Sequence, residues 1–106
     1  MNDFDDRKRA QEKKFELDQE LEFKATARRN KLLGLWAAGL MGKPADEADV
    51  YAKAVVAADF EEAGDDDVFR KIRGDFDAAG VAQSDHQIRA RMAELLDEAR
   101  AQIRAG

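Results

Sequence analysis

The chain has 106 residues, 39% charged and 44% hydrophobic, with a net charge of −5 and no cysteine. That is enough for one domain with one modest core. It argues against a general nucleic-acid binder, a membrane span, and any disulfide or thiolate metal site. The acidic start, Met1-Asn2-Asp3-Phe4-Asp5-Asp6, carries no apolar stretch of a secretory signal, so a cytoplasmic address is expected.

The first 33 residues hold no Gly and no Pro, and most of the first 31 are charged or polar. They run directly into Leu32-Leu33-Gly34-Leu35-Trp36-Ala37-Ala38-Gly39-Leu40-Met41-Gly42. One long helix is expected, starting in water and ending in a core. At about 100° per residue, Leu17, Leu21, Ala25, Leu32, Leu35, Trp36 and Gly39 fall on one stripe. Arg28 lies within it and can bury its stem while its head reaches water. Phe4 and Phe15 lie within roughly 20° of each other and about 100–120° from the stripe centre. On that reading they face away from the core and form a separate aromatic face. Burying Phe4, Phe15 and Leu17 offsets little of the entropy lost by ordering so long a segment, and an isolated helix of this length is marginal in water. Residues 1–17 are therefore expected to be a partly disordered, helix-prone arm that a partner surface fixes, ahead of a helical bundle domain at 18–106.

Gly42-Lys43-Pro44 ends the first helix, and Pro44 suits the first turn of the next. The second helix is expected over 44–63, with Ala48, Tyr51, Ala52, Val55 and Val56 at helical spacing, Phe60 extending the pattern, and Gly64 as the stop. Asp65 is placed to cap a third helix over 66–79, with Asp66 and Asp67 favoured by the dipole in its first turn. Val68, Phe69, Ile72 and Phe76 supply its face, and Gly80 ends it. Gly74 sits inside this helix, where a close helix contact would account for it. Ser84-Asp85-His86-Gln87 has the spacing of a capping box. Ile88, Met92, Leu95, Leu96, Ala99 and Ile103 then give the cleanest amphipathic stripe in the chain. Leu35, Trp36, Leu95 and Leu96 are expected in the core. Nothing alternates with period two, so the fold class is all-α, a four-helix bundle-like domain.

Chemical motifs are weak. Gly39, Gly42 and Lys43 miss the spacing of a phosphate-binding loop and follow no strand; close packing and a helix stop explain the glycines better. Asp65-Asp66-Asp67 lacks the glycine and terminal glutamate of a calcium loop. His86, the one histidine, fits a surface position in a first helical turn. Asp59, Asp75 and Asp77 are carboxylates near apolar faces without a spacing that defines acid–base chemistry. Arg28-Arg29-Asn30-Lys31 is a basic cluster without interleaved aromatics; it is expected to face solvent or an acidic partner. Asp46 to Asp67 is a strongly acidic stretch, read as a solvated face. No catalytic residue and no metal ligand is assigned, and an enzyme is not expected.

Several blocks together, in order along nearly the whole chain, carry a family likeness. They are Phe4-Asp5-Asp6-Arg7, Lys24-Ala25-Thr26-Ala27-Arg28-Arg29-Asn30-Lys31-Leu32-Leu33-Gly34-Leu35-Trp36-Ala37-Ala38, Tyr51-Ala52-Lys53, Ala58-Asp59-Phe60-Glu61-Glu62-Ala63-Gly64, Asp67-Val68-Phe69-Arg70-Lys71 and Ser84-Asp85-His86-Gln87-Ile88-Arg89. The chain resembles the zeta subunits of alpha-proteobacterial F-type ATP synthases. The resemblance implies a four-helix regulatory inhibitor of ATP hydrolysis, cytoplasmic and peripheral to the inner membrane through the synthase. It implies that the N-terminal arm enters a catalytic interface between alpha and beta subunits, near the rotating gamma subunit. Phe4, Arg7, Lys8, Gln11 and Phe15 are the arm residues expected to bind that partner. The resemblance also implies weak adenine nucleotide binding, with no residue to carry it and no other cofactor. A free monomer is expected, without nucleic-acid partners or membrane insertion. The rival readings are a nucleotide-sensing helical bundle and a general helical adaptor.

Overall fold

The computed structural model describes residues 3–59 and 65–106, with the side chains of its first helix described from Asp18 onward. Among the described residues there are four helices and no strand: α1 (Asp3–Leu40), α2 (Ala45–Ala58), α3 (Asp66–Ala79) and α4 (Asp85–Ala105). The all-α, four-helix expectation holds.

α1 has 38 residues, about 57 Å of helix at the standard rise. It sets most of the molecule's 65 Å length, against widths of 24 and 21 Å. The interior of α1 holds nothing that breaks a helix before Gly42. There Gly42 takes φ 74°, its N–H bonds the Gly39 carbonyl at 3.1 Å, and the Lys43 N–H reaches back to Ala38 at 3.0 Å. These paired bonds close a helix with a left-handed glycine. α3 ends the same way at Gly80, φ 72°, with Val81 N–H on the Phe76 carbonyl at 2.9 Å. Pro44 is the N-cap of α2 rather than a residue of its first turn, and α2 ends at Ala58 with Asp59 as its C-cap. It is thus shorter than the expected 44–63, and Phe60 and Gly64 lie outside the described residues. The capping box at α4 is complete: the Ser84 hydroxyl accepts from Gln87 N–H at 3.0 Å, and the Gln87 side chain accepts from Ser84 N–H at 2.8 Å.

The C-terminal half of α1 lies between α2 and α4, and α3 packs across all three. The core joins Leu33 and Ala37 of α1, Val55 of α2, Val68, Ile72 and Phe76 of α3, and Ile88, Met92 and Leu95 of α4. Trp36 is half-buried at its edge, its ring 5.5 Å from Phe76 in an edge-to-face pair. Leu35 and Leu96 are also half-buried, so of the four expected core residues only Leu95 is fully inside.

The expected α1 stripe is misplaced. The buried positions are Ala25, Arg29, Asn30, Leu33, Gly34, Ala37 and Ala38, a sector turned by roughly 140° from the expected one. Leu21 is 40% exposed, and Gly39 and Arg28 are exposed. The reason is close approach. At Gly34 an added Cβ would lie 2.6 Å from the Ala52 Cα. Where α2 presses this near to α1, small residues mark the contact and Leu32, Leu35 and Trp36 are left to the rim. Gly74, by contrast, has nothing within 4 Å of the Cβ it lacks, so no close helix contact accounts for it.

Candidate functional site

α4 runs antiparallel to α1 and ends at Ala105; α2 ends at Ala58. The last residues of α4 meet α1 around Glu22. Arg100 donates from Nε to Glu22 Oε2 at 3.1 Å, with a second bond from Nη2 to Oε1. Arg28 Nη1 donates to Gln102 Oε1 at 3.0 Å. Asp18, Leu21, Glu22 and Ala25 of α1 face Arg100, Ile103 and Arg104 of α4 across a shallow cleft of about 240 Å³. The Arg100 guanidinium holds the Glu22 carboxyl below the usual carboxylate range. That pair therefore adds to stability above the unfolded carboxylate range, and the contribution is lost as pH falls through the lowered value.

The bundle takes hold of α1 at Ala25, which is 1% exposed. Each of residues 18–24 is exposed. N-terminal to them α1 continues as helix to Asp3. The side chains of Phe4, Arg7, Lys8, Gln11 and Phe15 lie outside the described residues, as does the expected state of order of residues 1–17. The contrast drawn from sequence, an aromatic face turned away from the core stripe, rested on the misplaced stripe.

A buried polar knot lies one turn beyond Ala25. Arg29 and Asn30, expected to face outward, are each 1% exposed. Arg29 donates from Nη2 to Asp65 Oδ1 at 2.7 Å and from Nε to Asn30 Oδ1 at 2.8 Å. Asp65 occupies the N-cap position of α3, but its side chain makes no capping bond; it serves Arg29 instead. Asp59 is held above the usual carboxylate range by burial, with the neighbouring Asn30 amide and Arg29 guanidinium pulling the other way. Arg28 and Lys31 do face solvent. A buried arginine is legible in principle, since Arg29 stands four residues from both Ala25 and Leu33, but an arginine is read by default as exposed.

The remaining carboxylates are structural. Asp75 accepts from the Tyr51 hydroxyl at 2.7 Å and from Lys71 at 3.1 Å; burial first, and the bond to Asp75 after it, push the Tyr51 phenol far up. Asp77 and Asp85 both pair with Arg73. His86 is exposed in the first turn of α4. Among the described residues no group of three or more His, Cys, Asp or Glu is placed to hold a metal ion, and no helix is long and apolar enough to cross a membrane.

The geometry is therefore that of a helix presented by a bundle. The comparison with known families decides which: the family model described as ATPase inhibitor subunit zeta matches residues 1–102. The chain belongs to the ATPase inhibitor zeta-subunit family. A solved solution NMR structure is similar to this zeta-family chain at 49% identity, covering 80% of this chain and 96% of that one, with a TM-score of 0.72. No curated protein sequence matches. Zeta-family membership makes the chain a regulatory subunit rather than an enzyme, and supports an ATPase-inhibitory role and association with ATP synthase.

Proposed function

We propose that this zeta-family protein inhibits ATP hydrolysis by an F-type ATP synthase through the N-terminal part of α1. Residues 1–17 act as the inhibitory arm, and residues 18–106 form the bundle that anchors and positions it. The arm enters a catalytic interface between alpha and beta subunits beside gamma and blocks the rotation that accompanies hydrolysis. The observation that carries this reading is the single uninterrupted helix, gripped by the bundle at Ala25 and helical as far as Asp3. A helix already continuous with a rigid bundle lowers the ordering cost of docking, because one end is fixed before the partner arrives. Phe4, Arg7, Lys8, Gln11 and Phe15 are the contacts, with the two aromatics as anchors. The protein acts as a cytoplasmic monomer, peripheral to the membrane through the synthase.

The test is a titration of synthase-catalysed ATP hydrolysis with the full chain and with Phe4→Ala/Phe15→Ala. The double variant should need at least about tenfold more protein for half-inhibition, since hot-spot truncations cost about 2 kcal/mol or more. Superimposed curves would remove the two aromatics from the interface.

A further inference from the structure

Among the described residues, the buried side-chain polar atom left without a hydrogen-bond partner is Asn30 Nδ2. Asn30 is 1% exposed, and a buried donor without a partner is a destabilising feature. Turning the amide over does not remove it. Asn30 Oδ1 accepts from Arg29 Nε at 2.8 Å, and a guanidinium offers donors alone. The hydrogen-bond network therefore fixes the amide, with its oxygen on Arg29 and its NH2 on the other side.

On that other side is a small recess between α1 and the end of α2, about 30 Å³ in volume. Its walls are Phe23, Thr26, Ala27, Asn30, Val56 and Asp59. Asp59 is the C-cap of α2 and is half-buried. Burial raises its carboxyl and the Asn30 amide draws it back down, as a donor facing a carboxylate does. Nδ2 nevertheless closes no direct bond. A donor and an acceptor thus face one recess without meeting.

The two groups select the occupant. A cation would meet the positive end of the amide, and an anion would meet the carboxylate. What fits must accept from Nδ2 and donate to Asp59. A water needs about 10–15 Å³ of such space and at least two polar partners. The recess has room for it and none for an organic molecule.

We infer that Asn30 and Asp59 hold one ordered water, which accepts from Asn30 Nδ2 and donates to the Asp59 carboxylate. It joins α1 to the end of α2, as the Arg29–Asp65 pair joins α1 to the start of α3. The polar knot then runs unbroken from Asp59 through the water, Asn30 and Arg29 to Asp65. The Thr26 hydroxyl on the recess wall is not one of the two required partners.

The experiment follows the Asn30 side-chain NH2 protons by NMR in the full chain, measuring laboratory-frame and rotating-frame Overhauser peaks to water. Wild type should show both peaks with opposite signs, the mark of a water held longer than the molecule takes to tumble. Thr26→Val removes the hydroxyl that could relay exchange; it should melt close to wild type and keep both peaks. Thr26→Ala serves the same purpose if the valine does not fold. Absent peaks, or peaks of equal sign, overturn the inference. So does loss of the peaks in a folded Thr26 variant, which would trace them to the hydroxyl. A hydrogen-bond scalar coupling from the Asn30 amide to the Asp59 carboxyl carbon would show a direct bond in place of the water, and also overturns it.

Discussion

Arg29 is the residue whose placement costs most and explains most. A guanidinium taken out of water costs several kcal/mol unless it is paired and hydrogen-bonded. Here Asp65 and Asn30 supply the partners, tying α1 to the start of α3 across 36 residues of sequence. The Asp65 side chain is 49% exposed and that of Arg29 only 2%, so water screens one end of the pair and the other end has nowhere to go. Removing the acid strands the base. We expect Asp65→Ala to lower the unfolding free energy by about 2–3 kcal/mol, somewhat under the value for a fully buried pair. Arg29→Met, which removes the charge and keeps the stem, should cost less. Urea denaturation of both variants checks this; a loss under about 0.5 kcal/mol for Asp65→Ala, the range of an ordinary surface change, would mean that the pair does not hold the corner.

At the scale of the helices, two glycines with the same propensity cost make opposite predictions. Gly34 lies against the Ala52 backbone, at 2.6 Å from the position of an added Cβ. Gly34→Ala forces α1 and α2 apart and should destabilise by about 1–3 kcal/mol, more than the roughly 1 kcal/mol that alanine returns in helix propensity. Gly74 has open space around it, so Gly74→Ala should stabilise by up to about 1 kcal/mol. Thermal melts of the two variants moving in the same direction would refute the packing of α1 on α2. The contrast also shows what was legible in the sequence. Helix boundaries written in local chemistry were readable: the left-handed glycines at 42 and 80, the capping box at Ser84, and the apolar faces of α3 and α4. The rotation of α1 was not, because its contact face is made of Ala25, Gly34, Ala37 and Ala38. Small residues signal close approach only once the neighbour is known, whereas Leu32, Leu35 and Trp36 advertise hydrophobicity from the rim. Arg29 escaped for the same reason: its burial depends on Asp65, which local spacing assigns to a cap.

For the whole molecule, one helix belongs to two environments. From Ala25 to Ala38 α1 is the central element of a bundle, and from Asp18 to Lys24 its side chains are exposed; on the proposed function the segment before Asp18 is the inhibitory arm. Folding and inhibition should accordingly separate at the boundary. The described core of Leu33, Val55, Ile72, Phe76 and Ile88 is built from residues beyond position 17, and the truncated chain should keep a cooperative helical melt close to that of the full chain. The measurement that tests this account most directly is synthase-catalysed ATP hydrolysis titrated with the full chain and with residues 18–106, both confirmed folded by circular dichroism. The account predicts inhibition by the full chain and none by the truncated one over the same concentrations. Equal inhibition by the truncated chain would place the inhibitory element in the bundle and contradict it.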